Sequence, residues 1–189
     1  MIRPRTTAEL PDTGLRLEDF VADGAMRQPI ATTPPSTEDL GLIDGVTVMP
    51  IEGADDGRGT LFELLTTRDT PIDPIVHVYQ VLAGPRSIRA WFYHRHQFDR
   101  LAFTQGTFEI ALYDLRPDSP TARRLNVFAL GEARPALLRI PPLVVHGVRN
   151  VASEVCSFVN MPTRAYRHDA PDKCRLPYGD ARVPYRFDD

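Results

Sequence analysis

Lysine is almost absent from this sequence of 189 residues, because Lys173 is the only lysine among 22 basic residues. The two cysteines, Cys156 and Cys174, form no CxxC pair, which argues against a disulfide framework and favours a reducing compartment. No apolar run approaches the roughly 18 residues of a membrane helix. The opening MIRPRTTAELPD has no apolar core of a secretory signal. We therefore expect a cytoplasmic protein without a membrane partner.

The charge balance excludes another class of partner. The net charge is −3 and 25% of the residues are charged, whereas a nucleic-acid surface needs clustered basic residues. Hydrophobic residues make up 42% of the chain, enough for a sizeable core. The length suits one domain with long arms. We expect no nucleic-acid partner.

Short runs of β-branched and aromatic residues fill the middle of the chain, and turn sequences such as GPR, RPDSP and GEARP separate them. They predict strands at 46–51, 60–67, 75–83, 87–96, 100–105, 107–115, 124–130, 136–142 and 155–162. Convincing helical periodicity is scarce, so the pattern favours an all-β sandwich or barrel. Proline-rich ends predict an N-terminal arm over 1–45, a barrel over 46–165 and an extended tail over 166–189 that packs on the barrel.

The stretch WFYHRHQFDR contains two histidines one residue apart. Successive side chains of a strand point to opposite faces, so His94 and His96 are expected on one face together with Phe92. Such a pair can bind a metal ion, or one member can act as a general base. Two histidines that only line a polar interior would give the same pattern.

A second stretch, IPPLVVHGVRN, adds a later histidine. The order HxH, acid, glycine, then PxxxxHxxxN resembles the two motifs of the cupin superfamily. The resemblance implies one divalent metal ion, of Fe, Mn, Ni, Cu or Zn. The implied ligands are His94, His96, Asp99 and His146. The sequence departs from the motif in the short spacing between His96 and Asp99, and in Leu143, where the motif usually has glycine.

Longer stretches resemble one cupin-folded family more closely. DDGRGTLFELL, SIRAWFYH, RLAFTQGTFEIALYDLRPDSPT and LRIPPLVVHGVRN look like segments of the dTDP-4-dehydrorhamnose 3,5-epimerase family, in the right order. The resemblance implies a cupin jelly-roll barrel, a dTDP-sugar substrate, no cofactor and a homodimer that exchanges strands. The family's reaction is proton abstraction next to a keto group: a histidine takes the proton, a tyrosine returns one, and a lysine stabilises the enolate.

The family's substrate-contacting positions are retained in this sequence. They fall on Arg58, Glu63 and Arg89, and Tyr166 matches a further aromatic position. His146 matches the histidine of the family's late HG pair. The resemblance therefore implies Arg58, Glu63, Arg89 and Tyr166 as substrate contacts.

The family's catalytic positions are all changed. The base position falls on Phe92, the lysine position on Asp99, and the tyrosine position on Val159 or Asn160. Phenylalanine cannot accept a proton. The family's C-terminal LSxKD segment, which supplies a carboxylate that supports the base in many members, has no counterpart in this sequence.

Three functions therefore stay open. The leading one is a divergent epimerase-like enzyme that acts on a nucleotide-linked keto-deoxysugar by acid–base chemistry, with His94, His96 or His146 as the catalytic group. The second is a metal-dependent cupin enzyme, an isomerase or a dioxygenase. The third is a cupin that binds a ligand without catalysis.

Overall fold

The computed structural model describes residues 5–22, 41–55, 57–66 and 73–187. Within these ranges the backbone forms fourteen strands and one short 3₁₀ helix, Leu17–Asp19. The strands are β1 (Thr6–Glu9), β2 (Val21–Ala22), β3 (Thr47–Pro50), β4 (Gly53–Asp55), β5 (Thr60–Phe62), β6 (Tyr79–Ala83), β7 (Ile88–His94), β8 (Asp99–Gln105), β9 (Thr107–Asp114), β10 (Arg124–Gly131), β11 (Ala136–Ile140), β12 (Val144–Asn150), β13 (Cys156–Asn160) and β14 (Lys173–Arg175). None of the described helical segments is long and apolar enough to cross a bilayer.

Two antiparallel sheets form the body of the protein. The larger has seven strands in the order β1-β10-β9-β12-β7-β14-β2, and the smaller has five in the order β3-β11-β8-β13-β6. Strands β4 and β5 form a separate hairpin. Neighbours in the sheets are often distant in sequence, as in a jelly roll. The prediction of an all-β jelly-roll barrel is confirmed.

The core lies between the two sheets. Strand β9 contributes Phe108, and the smaller sheet contributes Phe103 and Phe158. The three ring centroids lie 5.1–5.4 Å apart, in the tilted and edge-to-face arrangements that aromatic rings prefer. Alternation along the strands produces this core, because every second side chain of each strand points inward.

The outer face of the larger sheet is also covered. Residues from both ends of the chain, including Leu15, Phe20 and Phe187, pack against side chains of β7, β9 and β12. All seven residues of β12 are buried as a result. The ends also add strands to this sheet, β1 and β2 before the barrel and β14 after it. Residues 1–4, 23–40 and 188–189 of the predicted arm and tail lie outside the described residues, and the domain boundaries stay a prediction.

The turn YDLRPDSPT is closed around one buried carboxylate. Asp114 accepts hydrogen bonds from the guanidinium of Arg116 and from the hydroxyls of Ser119 and Thr121, at 2.7–2.8 Å. Burial raises the pKa of Asp114, but these hydrogen bonds and the charge of Arg116 lower it by more, so the pKa lies below its usual value. The carboxylate therefore fixes the connection from β9 to β10.

Several strand predictions differ from the structure. The strand predicted at 87–96 ends at His94, and the one predicted at 75–83 begins at Tyr79. The strand predicted at 136–142 ends at Ile140, because prolines follow, and a new strand, β12, begins at Val144. The connecting residue Leu143 has a φ of 65°, in the left-handed region that favours glycine. This conformation gives a physical reason for the usual glycine of the motif at that position.

Candidate functional site

A cavity of about 470 Å³ is lined by side chains of β6, β7, β8, β12, β13 and β14. Polar and charged residues are concentrated there. They are His77, Tyr79, Arg89, His94, Gln97, Asp99, His146, Asn160, Arg164, Tyr166, His168, Lys173 and Arg175. This is the candidate active site.

A register shift on β7 decides which of its side chains reach the cavity. Phe92 pairs with His146 and Arg89 pairs with Val148, so three steps on β7 match two on β12. Such a bulge re-aims side chains, and Arg89 lines the cavity together with Phe92 and His94. The side chain of Trp91 lies on the opposite face of β7, where its ring stacks on that of Phe187 in the C-terminal tail.

The centre of the site is Asp99, which lies between two histidines. One carboxylate oxygen, Oδ2, is 3.4 Å from Nε2 of His94 and 3.3 Å from Nε2 of His146. The other oxygen, Oδ1, accepts hydrogen bonds from the side chains of Gln97 at 2.8 Å and Asn160 at 3.0 Å. These two amides fix the carboxylate so that Oδ2 faces both imidazoles.

Electrostatics sets the protonation states of this group. Burial raises the pKa of Asp99, but the two neighbouring histidines, His94 foremost, and the hydrogen bond from Asn160 lower it by more, so its pKa lies well below the usual range. Burial lowers the pKa of His146, and Asp99 only partly offsets this effect. Nδ1 of His146 lies 2.9 Å from the carbonyl oxygen of Val144. A carbonyl only accepts, so Nδ1 carries the proton and Nε2 has a lone pair.

A second carboxylate reaches His94 from the C-terminal tail. Oδ2 of Asp172 is 3.6 Å from Nδ1 of His94 and accepts hydrogen bonds from the backbone N–H groups of His96, at 3.3 Å, and Gln97, at 3.1 Å. Burial raises the pKa of Asp172, but its close contact with His94 and the hydrogen bonds that it accepts from the two backbone groups lower this pKa to about 2. The tail therefore places a carboxylate beside His94, although the sequence has no counterpart of the family's LSxKD segment.

The tail also brings two cations into the cavity. In the pairing of β14 with β7, Lys173 lies opposite His94, and Arg175 lies opposite Phe92. The ammonium Nζ of Lys173 is 3.7 Å from the ring centroid of Phe92, and Cζ of Arg175 is 5.9 Å from it. Sequence reasoning missed both residues, because KCR is too short to carry a strand pattern. The isolation of the only lysine was the one available signal.

A phenol at the cavity wall was also missed. The side-chain amide of Asn160, one of the two residues on which the family's tyrosine position can fall, donates to Oη of Tyr79 at 2.8 Å. Burial and the negative charge of Asp99 raise the pKa of Tyr79, so the phenol keeps its proton at neutral pH. The site thus contains a tyrosine hydroxyl, supplied from β6 instead of β13.

The structure brings together three of the four predicted metal ligands. His94, Asp99 and His146 each offer one ligand atom, and these atoms lie within 4.8 Å of one another. His96 does not join them: β7 ends at His94, the chain turns, and His96 is exposed. The expectation that His94 and His96 share one strand face is wrong.

The predicted substrate contacts divide into two groups. Arg89 and Tyr166 line the cavity, and Tyr166 is 44% exposed at its edge. Arg58 lies in the turn of the β4–β5 hairpin, and Glu63 follows this hairpin and lines a separate cavity of about 790 Å³. Within one described chain, therefore, Arg58 and Glu63 are not part of the candidate active site.

The group of His94, Asp99 and His146 also has dimensions that suit a metal ion. In a tetrahedral site with bonds of about 2.0–2.1 Å, neighbouring ligand atoms lie roughly 3.3–3.4 Å apart. The two N···O distances to Oδ2 of Asp99 are 3.3 and 3.4 Å. Each of the three side chains also contacts a further group through its second polar atom. Nδ1 of His94 faces Asp172, Oδ1 of Asp99 accepts from two side-chain amides, and Nδ1 of His146 faces the Val144 carbonyl. Metal ligands in proteins commonly have such supporting contacts.

No protein-family model matches the chain. The chain is 32% identical over 146 residues to the spore coat polysaccharide biosynthesis protein SpsL of Bacillus subtilis, which covers 77% of this chain and 97% of SpsL. It is 35% identical over 141 residues to the probable low-salt glycan biosynthesis epimerase Agl13 of Haloferax volcanii, and this match covers 72% of this chain and 88% of Agl13. The crystal structure of a dTDP sugar isomerase from Desulfovibrio desulfuricans matches with a TM-score of 0.71 and 25% identity, over 76% of this chain and 91% of that one.

The jelly-roll barrel, the cavity with its histidines and aspartates, and these relatives define the class as the cupin-like sugar epimerases and isomerases. Within this class the chain belongs to the dTDP-4-dehydrorhamnose 3,5-epimerase family. The family resemblance of the sequence is therefore confirmed. The relatives indicate an epimerase or isomerase of nucleotide-sugar biosynthesis.

Proposed function

We propose that the protein epimerises or isomerises a dTDP-linked keto-deoxysugar and that His94 is the group that takes the substrate proton. One observation carries this proposal: the His94 ring lies at the cavity wall between two carboxylates, 3.4 Å from Asp99 and 3.6 Å from Asp172. A ring that accepts a proton becomes a cation, and two fixed anions stabilise this cation.

Each carboxylate faces one ring nitrogen of His94, because Asp172 lies opposite Nδ1 and Asp99 lies opposite Nε2. Both nitrogens of the protonated ring would therefore have an anion beside them. Compared with the family's base position at Phe92, the base has moved two residues, roughly 6–7 Å along the strand. The reacting carbon of the sugar must be displaced by a similar distance.

The remaining cavity wall suits an anionic ligand. Arg89 and Arg175 line the cavity, and guanidinium groups match phosphate oxygens in charge and geometry. Tyr166 offers an exposed aromatic surface at the cavity edge. The dTDP sugar isomerase that matches this fold acts, by its name, on the same class of ligand.

The test is solvent exchange. The purified protein is incubated in D₂O with a dTDP-linked 4-keto-6-deoxyhexose, and deuterium at the carbons beside the keto group is followed by NMR and mass spectrometry. We expect exchange by the wild type, a loss of about 10²–10⁴-fold in His94→Gln, and wild-type exchange in the exposed matched control His96→Ala. Binding of dTDP without any exchange would indicate the non-catalytic ligand-binding cupin instead.

A second candidate is a metal-dependent cupin enzyme. The observation that favours it is the lone pair on Nε2 of His146, which faces the ionised Asp99 at 3.3 Å and receives no hydrogen bond from the residues that the structure describes. A divalent ion held by His94, Asp99 and His146 would satisfy this contact and would act as a Lewis acid when bound. About one ion per chain in tag-free protein, lost in His146→Gln, would establish this function. Metal-free, exchanging protein would exclude it.

We also propose that the protein is a homodimer. The edge strand β6 and the residues before it expose several large apolar side chains, among them Val76, Val78 and Leu82, the last 65% exposed. Exposed edge strands commonly pair with a second copy. Arg58 and Glu63 lie outside the site of their own chain, so a second copy is the remaining way for them to contact substrate. Light scattering after size exclusion tests the mass directly, and a monomer would contradict the proposal.

A further inference from the structure

A buried arginine lies directly behind the candidate active site. Asp99 and Leu101 of β8 line the cavity. Because side chains alternate along a strand, Arg100 between them points to the outer face of the smaller sheet, where it borders the cavity of about 790 Å³. Arg100 is only 2% exposed, whereas arginines are almost never fully buried unless they are paired. Its partners therefore show what it does.

These partners are backbone carbonyl groups from two different parts of the chain. Nε of Arg100 donates to the carbonyl oxygen of Met161 at 2.6 Å, and the two terminal nitrogens donate to those of Asp73 at 2.8 Å and Pro74 at 3.2 Å. Among the described residues, the guanidinium donates to no side chain. Its planar fork reaches acceptors in several directions at once. Arg100 therefore ties Met161 to Asp73 and Pro74.

Both of the tied segments continue into the wall of the candidate active site. Residues 73–79 are the β6 entry segment, and residues 161–168 are the β13 exit segment. Each carries a histidine and a tyrosine that line the cavity, His77 and Tyr79 in the first and Tyr166 and His168 in the second. The two ring centroids lie 5.4 Å apart in the first pair and 4.9 Å apart in the second. Arg100 thus connects two aromatic pairs of the cavity wall from behind.

The backbone of Arg100 contributes to the same connection. Its N–H donates to Oδ1 of Asn160 at 3.3 Å, and its carbonyl oxygen accepts from the N–H of Met161 at 2.9 Å. The side-chain amide of Asn160 in turn donates to Oη of Tyr79 at 2.8 Å. One residue of β8 is therefore linked to both segments through its side chain and its main chain.

We propose that Arg100 is a positioning residue that fixes the two tyrosine–histidine pairs relative to each other and thereby sets the affinity of the site for its ligand. The part that concerns the ligand rests on the proposed function. Burying a guanidinium is unfavourable, and an apolar residue would fill the same place without this cost. What the arginine adds is three charged donors for carbonyl groups of both segments. The aromatic pairs that it holds offer the kind of surface on which a nucleobase stacks.

The first experiment measures amide hydrogen exchange in the ligand-free protein, so it does not depend on the identity of the substrate. Arg100→Met keeps the apolar stem and removes the three donors. We expect peptides that cover 73–83 and 158–166 to exchange about 10–10²-fold faster, the range for loss of one hydrogen bond from a charged donor. Strands β9 and β10 should exchange as in the wild type. Unchanged exchange in the two segments, or equally faster exchange throughout the barrel, would overturn the inference.

Two further variants control for stability. Arg100→Lys keeps the charge but donates from a single nitrogen, so its exchange should lie between those of the wild type and Arg100→Met; this variant also serves if the methionine variant does not fold. Asn126 is fully buried and likewise holds backbone groups, those of Gly41 and Ile43, but it does not line the cavity. Asn126→Ala should lower the stability and leave exchange in the two segments unchanged.

The second experiment measures binding and turnover. We expect the Kd for dTDP by calorimetry, and the KM for solvent exchange with the dTDP-linked keto sugar, to rise about 5–10²-fold in Arg100→Met, the range for one base–aromatic stacking contact. The value of kcat should stay within about threefold, because such a change removes binding that is equal in ground and transition states. In Asn126→Ala all three constants should match the wild type. A lower kcat with unchanged Kd and KM would overturn the inference.

The two experiments separate this inference from the function on which it rests. If the wild type binds dTDP and Arg100→Met binds it equally well, only the role of Arg100 in binding is refuted. If the wild type neither binds dTDP nor exchanges deuterium, the proposed function fails and the ligand part of the inference fails with it. Hydrogen exchange then still decides whether Arg100 holds the two segments.

Discussion

Replacement of Asp172 by asparagine removes a negative charge that lies 3.6 Å from Nδ1 of His94. The change keeps a side-chain oxygen that can accept from the backbone N–H groups of His96 and Gln97, as Oδ2 does in the wild type. The variant therefore separates the charge of Asp172 from its role in the turn. We expect a slower proton transfer in a protein that folds normally.

The magnitude follows from the distance. Two unit charges at 3.6 Å interact by about 1 kcal/mol in bulk water and about 5 kcal/mol at an effective dielectric constant near 20. The Asp172 side chain is 18% exposed, so the interaction lies between these limits. At about 1.4 kcal/mol per factor of ten, Asp172→Asn should lower kcat for solvent exchange by about 10–10³-fold.

The assay compares Asp172→Asn with Asp172→Ala. Alanine also removes the acceptor for the two backbone groups, which should cost about 1–3 kcal/mol of stability, whereas asparagine should stay within about 1 kcal/mol of the wild type. Exchange kinetics and urea unfolding are measured on both variants. Wild-type exchange in a folded Asp172→Asn protein would refute the assignment of His94 as a base supported by this carboxylate.

Three further predictions concern the fold and the edge of the site. Phe108→Ala should lower the free energy of unfolding by about 3–5 kcal/mol, whereas Val155→Ala, at a side chain that is 57% exposed, should change it by less than about 0.5 kcal/mol. Similar losses in urea melts would contradict the placement of the core. The pKa of Asp114 lies below its usual value of 3.8, so the ionised carboxylate stabilises the fold above that pH, and this stabilisation is lost as the pH falls through the pKa of the folded protein. In unfolding curves recorded at decreasing pH, the wild type should therefore lose more stability than Asp114→Asn. His96→Ala should bind dTDP as the wild type does by calorimetry, and weaker binding would return His96 to the site.

Local patterns predicted the strands well where alternation was uninterrupted. The predicted strand at 107–115 corresponds to β9, and the one at 124–130 corresponds to β10. Strand β12 was missed because it is buried on both faces, so its sequence shows no alternation of apolar and polar residues. Strands β1 and β14 were missed because runs of four and three residues carry too little pattern.

The candidate site could be predicted only in part, because its motifs are local in sequence whereas one of its turns depends on a distant residue. His94, Asp99 and His146 belong to motifs that can be read from the sequence, and the structure brings them together. His96 was assigned wrongly because the end of β7 depends on where the chain turns. That turn is held by Asp172, which is distant in sequence.

The sequence by itself determined the all-β class, because alternation is a property of neighbouring residues. It also contains the stretches that resemble the family, and their motifs include His94, Asp99 and His146. Tertiary structure decided that the C-terminal tail lies beside β7 and delivers Asp172 and Lys173 to His94. This pairing depends on the register between distant strands, and the packing of the whole outer face of the sheet fixes it.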